Sequence, residues 1–217
     1  MKCKLYITTS SIASLMAFAV LAEARPVSYQ GGWTLIEESD WQTTSGLVHY
    51  TLDPKISLGA RVELDHENDT AFYGGQATYL VKRWFGKDHQ ANLYAFTGAG
   101  IIEETGSGQN GSDEAAFIGA MADWETRRWF VSYGIRGFDG GDIDKSFMQM
   151  GRVGVAPYVA NTNALHTWLM LQVHHRPDNA EPLSVTPLVR FFKGAALVEA
   201  GYNINTESPL LNFTYRF

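Results

Sequence analysis

Apolar and polar residues alternate with a period of two along much of this chain, the spacing at which successive side chains of a strand point to opposite faces. Ile56, Leu58, Ala60, Val62 and Leu64 fall on one face, and Ser57, Gly59, Arg61, Glu63 and Asp65 on the other. Leu169, Leu171 and Val173 oppose Trp168, Met170, Gln172 and His174 in the same way, and Val185, Pro187, Val189 and Phe191 oppose Ser184, Thr186, Leu188 and Arg190. The chain closes on the pattern, with Leu211, Phe213, Tyr215 and Phe217 against Asn212, Thr214 and Arg216. Bounded by turn residues, these segments predict about twelve strands, near 29–37, 46–52, 56–65, 71–83, 91–101, 114–124, 128–138, 146–158, 165–175, 183–192, 195–204 and 209–217.

The connections sort into two kinds. Those after odd-numbered strands, such as Glu103 to Asp113 and Arg176 to Pro182, are polar and mostly acidic. Most of those after even-numbered strands, such as Asp53-Pro54-Lys55 and Lys193-Gly194, are tighter, and two have the composition of hairpin turns. An even strand count puts the tight turns on the same side as both termini.

One segment departs from the period of two. Met1-Lys2-Cys3-Lys4 carries two charges, an apolar run follows from Leu5 to Leu21, and Ala22-Glu23-Ala24 ends it. This order reads as a secretory signal peptide, residues 1–24, leaving a mature chain of 25–217. The run is interrupted by Ser and Thr and short of the about 20 apolar residues of a membrane helix. Cys3 would leave with the peptide, so no disulfide or thiolate site is expected. The formal charge of −6 for the full chain argues against nucleic acid as a partner.

Composition bears on what the strands face. Aromatics make up 13% of the chain and there are 21 glycines, yet mean hydropathy is only −0.15. A transmembrane barrel accounts for this, because each strand needs about 9–11 residues and presents an apolar row on one face alone. Trp84, Phe85, Trp124, Trp129, Tyr158, Phe191, Phe192 and Phe217 sit beside tight turns or the terminus, where amphipathic rings collect at a membrane boundary. Trp33, Trp41, Tyr73, Phe138, Phe147 and Tyr202 are expected nearer the opposite end or at mid-membrane.

A strand stopping on Phe at the extreme carboxyl terminus resembles the terminal signature of bacterial outer-membrane β-barrel proteins. In pattern, the whole of 25–217 is similar to small monomeric barrels of that kind, the twelve-strand oligosaccharide-specific porins among them. The resemblance implies an all-β, antiparallel up-and-down transmembrane barrel of about twelve strands, with ten as the alternative. It also implies a Gram-negative outer-membrane location, surrounding lipid and the barrel-assembly machinery as partners, and Phe217 as an assembly signal.

Nine charged residues are expected in the lumen: Arg61, Glu63, Lys82, Asp123, Arg136, Arg152, Arg190, Glu199 and Arg216. Rings of such charge set selectivity in pores, or neutralise one another in closed barrels. Arg190 is expected opposite Leu197, with Glu199 one diagonal step away. Met148, Met150 and His174 share an inner face, Met150 opposite His174, and thioether with imidazole suits a soft ion such as Cu(I); the plainer reading is that the methionines fill space. The sequence has no G-x-S-x-G and no Ser–His pair distinguished by spacing, so no catalytic residue and no cofactor is assigned. The leading expectation is a narrow channel for small polar or anionic solutes. A closed structural or interaction barrel with functional loops comes second, and a lipid-active enzyme or soft-metal-binding barrel third.

Overall fold

Each alternating segment pairs antiparallel with its neighbours in sequence, and the first pairs with the last, so the sheet closes without a free edge. The computed structural model describes residues 26–217 apart from 109, 162 and 180. Its strands are β1 (Trp33–Ser39), β2 (Thr43–Asp53), β3 (Ile56–Asp65), β4 (Thr70–Phe85), β5 (His89–Glu104), β6 (Ser112–Thr126), β7 (Trp129–Gly140), β8 (Asp144–Val155), β9 (His166–His175), β10 (Leu183–Lys193), β11 (Ala196–Asn203) and β12 (Ser208–Arg216). The architecture is therefore the expected all-β up-and-down barrel, with twelve strands rather than ten. The signal-peptide reading and Cys3 lie outside the described residues.

The period of two decides what faces where. On β3, Leu58 and Val62 are exposed on the outer wall while Ser57 is fully buried inside. On β9, Leu169, Leu171 and Val173 point out, and Met170, Gln172 and His174 point in. An apolar outer wall around a mixed interior is the arrangement lipid requires, the reverse of a soluble barrel. Among the described residues no helix is long and apolar enough to cross a membrane.

Two features of the chain's start differ from expectation. Residues 29–32 do not open the first strand; at the end where the termini meet, 26–28 enter the barrel while 29–31 stay exposed at its rim. Gly31, at φ 83°, takes a conformation that L side chains rarely adopt. Val27 packs inside against Leu80 and Tyr94. Trp33, expected toward the far end, instead stands at this terminal end. Its amide donates to the Phe217 carbonyl at 3.0 Å and its carbonyl accepts from the Phe217 amide at 3.1 Å. Its ring lies 5.2 Å from that of Tyr50. These two bonds extend the β1–β12 ladder, which closes the barrel's seam, by one further pair beyond Thr34 and Arg216.

Candidate functional site

The interior is organised by carboxylates that each hold two arginines. On β3, Arg61 donates to Glu63 Oε2 through Nε and Nη2 at 3.0 and 2.7 Å. Arg136 of β7 donates to the same oxygen through Nη1 at 2.7 Å, and through Nη2 to Oε1. On the other side of the lumen, Glu199 of β11 accepts from Arg190 of β10 at 2.7 Å and pairs with Arg152 of β8 at 3.3 Å. Asn212 of β12 donates to Glu199 Oε2 at 2.6 Å, and Arg152 Nε to Gln172 Oε1 at 2.7 Å. Both carboxylates are nearly excluded from solvent, where an unpaired charge would be costly, so the paired arrangement is what lets them stay ionised. Aromatic faces complete the setting: the guanidinium of Arg136 lies 5.5 Å from the Phe117 ring, and that of Arg190 lies 5.0 Å from Phe130.

Arg190 stands directly opposite Glu199, not Leu197 as the hairpin reading had it. The turn uses Gly194 and Ala195 as its two central residues instead of Lys193 and Gly194. Gly194 has φ 62° in the first central place, the position that a type II′ turn reserves for glycine.

A second correction concerns Lys82. The ladder between β4 and β5 shifts between Leu80 and Lys82, and the bulge reverses the parity of the rest of β4. Lys82 is turned to the outer wall, 5.4 Å over the ring of Trp84. Arg83 takes the inward place and donates to Asn92 Oδ1 at 2.6 Å, and Asn92 donates in turn to Asp123 at 2.6 Å. Asp123 is buried inside as expected. Arg216 shares an inward cross-strand row with Thr34 and His49.

Met148, Met150 and His174 do share an inner face, with Met150 opposite His174. The place of a soft ion, however, is taken by Arg176. Its Nε lies 3.3 Å from His174 Nε2 and its Nη2 lies 3.5 Å from Met148 Sδ. A cation beside those ligands would have to displace a guanidinium. Arg176 escaped the sequence reading because it follows the strand, although it keeps the inward parity of His174.

Arg176 also begins the loop 176–182 between β9 and β10, which crosses the mouth remote from the termini. Asn179 donates to Glu67 Oε2 at 2.7 Å, and Arg176 lies 3.7 Å from Asp65. Both partners belong to the β3–β4 hairpin, on the opposite side of a twelve-strand ring. The rim here is strongly acidic: Asp40, Glu67, Asp69, Glu103, Glu104, Asp113, Glu114, Asp139, Asp142, Asp178, Glu181 and Glu207 all stand at this end. Lys145 and Arg176 are its cations among the described residues.

Between the two ends lies a cavity of about 220 Å³ with Arg61, Arg136, Arg152, Arg190, Phe117 and Phe130 in its walls and Pro26 at its edge. A smaller space of about 70 Å³ shares Arg61, Arg136 and Arg152 with it and reaches Arg176 and Asp40. Inward glycines keep the rings flat against the wall: a Cβ on Gly98 would fall 2.3 Å from Phe117, and one on Gly119 would fall 2.3 Å from Phe96. At the terminal end the cavity stops against the inturned segment. Ser57 Oγ donates to the Pro26 carbonyl at 2.8 Å, and His49 Nδ1 lies 3.0 Å from Ser57 Oγ. This Ser–His contact joins residues on adjacent strands that spacing did not single out. The Ser57 hydroxyl is fully buried and its proton is directed to a carbonyl, so the pair anchors the segment rather than presenting a nucleophile.

No family model and no curated protein matches the chain. Among solved structures it is similar to the KdgM porin in complex with disordered oligogalacturonate, at 9% identity and a TM-score of 0.50, over 86% of this chain and 98% of that one. A second KdgM porin structure aligns at 10% identity and a TM-score of 0.47, with the same coverage. The first of these likenesses is one of fold: this chain has the fold of an outer-membrane β-barrel.

Proposed function

We propose that the protein is a narrow outer-membrane channel for small polar solutes, closed at its terminal end in the state described. The observation that carries this reading is the cavity edged by Pro26. Its closure on that side comes from a segment that is not part of the sheet. Residues 26–32 are held by the contacts of Pro26, Val27 and Ser28 together with Gly31 and Gly32, whose backbones bond to Thr51, and could leave without breaking a ladder between strands. In this reading the chain is a monomer, threaded into the membrane by barrel-assembly machinery that recognises the Phe217 strand.

Charge narrows the solute. The KdgM porin was captured with oligogalacturonate, a polyanion. Here each lumen carboxylate already neutralises part of an arginine pair, and the acidic far rim repels anions approaching from that side. One guanidinium charge stays uncompensated in each cluster, so the lumen still attracts negative charge while the far rim discourages a polyanion, and together they favour small polar solutes of low charge. The competing reading, a closed barrel acting through its loops, draws support from the fully paired carboxylates and the loop across the far mouth.

Planar-bilayer conductance separates the two. In Val27→Asp a carboxylate must sit among Leu80 and Tyr94, which expels the segment, and the channel reading expects a clear rise in conductance over the wild type. A Val27→Asp protein that still shows the heat-dependent gel shift of a folded barrel and conducts nothing would overturn the channel and leave the closed barrel.

A further inference from the structure

The bulge in β4 raises a question that the lumen does not answer: why a lysine is turned onto the lipid-facing wall. The end of the barrel around it is basic. Lys55, Lys82, Lys87, Arg127, Arg128 and Lys193 are all exposed there, against Asp53, Asp88, the buried Glu125 and the Phe217 carboxylate. Asp53 is engaged with its own turn, accepting from the amides of Lys55 and Ile56. The barrel is thus polarised, acidic at the far rim and basic at the terminal one.

On β4 to β6 this basic end has a shape as well as a charge. Trp84, Ala91 and Trp124 form one outward row across three strands. Their strands are two spacings, about 10 Å, apart, and the row between the two tryptophans carries only the methyl group of Ala91. Lys82 lies over the Trp84 ring at one wall of this slot. His89 lies beside Trp124 at the other, with ring centres 6.2 Å apart and planes tilted by 35°, and Lys87 and Arg127 stand in the turns below. Trp129, outward and exposed at the start of β7, extends the aromatic surface to one side.

We propose that this slot binds the headgroup of an anionic phospholipid in the leaflet on the terminal side, with the glycerol and upper chain against Trp84 and Trp124 and the phosphate on the turn side of that row, between Arg127 and the Lys82 ammonium that extends over Trp84. Indole rings hold the boundary between hydrocarbon and headgroup, and cations at that depth gain from anionic lipid. The bulge supplies what an unbroken ladder would not. It brings Lys82 to this boundary and sends Arg83 inward to the Asn92–Asp123 pair. The slot requires the barrel to stand in a membrane, and not that it conduct, so a non-conducting protein leaves the inference intact.

The test uses the full-length folded protein in vesicles of phosphatidylcholine with brominated phosphatidylglycerol or brominated phosphatidylcholine admixed, reading the quenching of tryptophan fluorescence. The wild type is expected to prefer phosphatidylglycerol by about tenfold at low salt, the scale of one to two interfacial cations. The preference should collapse in Lys82→Gln/Arg127→Gln and persist in Lys193→Gln, which lies on another part of the ring. If the double variant fails the heat-shift test of folding, each single variant is expected to lose about half of the preference on a logarithmic scale. Equal quenching by the two lipids in the wild type would overturn the proposal. A loss in Lys193→Gln as large as in the slot variants would also overturn it, by showing a diffuse basic field instead of a site.

Discussion

Arg136 on β7 donates to both carboxylate oxygens of Glu63 on β3, four strands away around the ring. A side-chain pair that spans the lumen is a brace, and it limits how wide any path through the barrel can be at that level. Glu63→Gln would leave the guanidiniums of Arg61 and Arg136 facing each other without their shared carboxylate. Breaking a buried pair from one side costs about 3–5 kcal/mol. Urea unfolding of the barrel in detergent should show a loss of this size; an unchanged midpoint would mean that the brace contributes nothing to stability.

The loop 176–182 is tied down by Asn179 to Glu67 and by Arg176 to Asp65. Asn179→Ala combined with Arg176→Gln should speed limited proteolysis in this loop. The loop ties are local to the mouth, so the unfolding midpoint should change far less than in Glu63→Gln. Cleavage at the wild-type rate would show that the loop is held by something other than these two contacts.

Phe217 extends the seam's ladder through two backbone hydrogen bonds with Trp33. At about 0.5–1.5 kcal/mol each, their loss weakens the joint between the first and last strands. Deleting Phe217 should lower the fraction of heat-shiftable barrel in the membrane while leaving export from the cytoplasm unchanged. Equal amounts of folded protein would remove the role given to the terminal residue.

Arg176 stands where a soft ion would bind beside Met148 and His174. Cu(I) should therefore stabilise neither the wild type nor Met148→Leu against thermal unfolding. A rise in unfolding temperature in the wild type that disappears in Met148→Leu would show that the metal displaces the guanidinium.

What could be read from the linear chain was whatever depends on a residue's neighbours one and two positions away. The alternation of Ile56 to Leu64, and of Leu211 to Phe217, already assigned the outer and inner walls, and repetition of that pattern led to twelve strands in a ring. It also placed Glu63, Arg136, Arg152 and Glu199 inside. Parity alone, however, breaks at one irregular step: the bulge after Leu80 exchanged Lys82 for Arg83, and one residue's difference in a hairpin turn moved Arg190 from Leu197 to Glu199. The remaining features join residues far apart in sequence. Arg136 meets Glu63, Asn179 meets Glu67, and Val27 meets Tyr94 because closure of the ring brings distant strands to face one another across a narrow lumen. Side-chain periodicity specifies a face but not a partner, and the partner is chosen only when the closed sheet sets the distance across it.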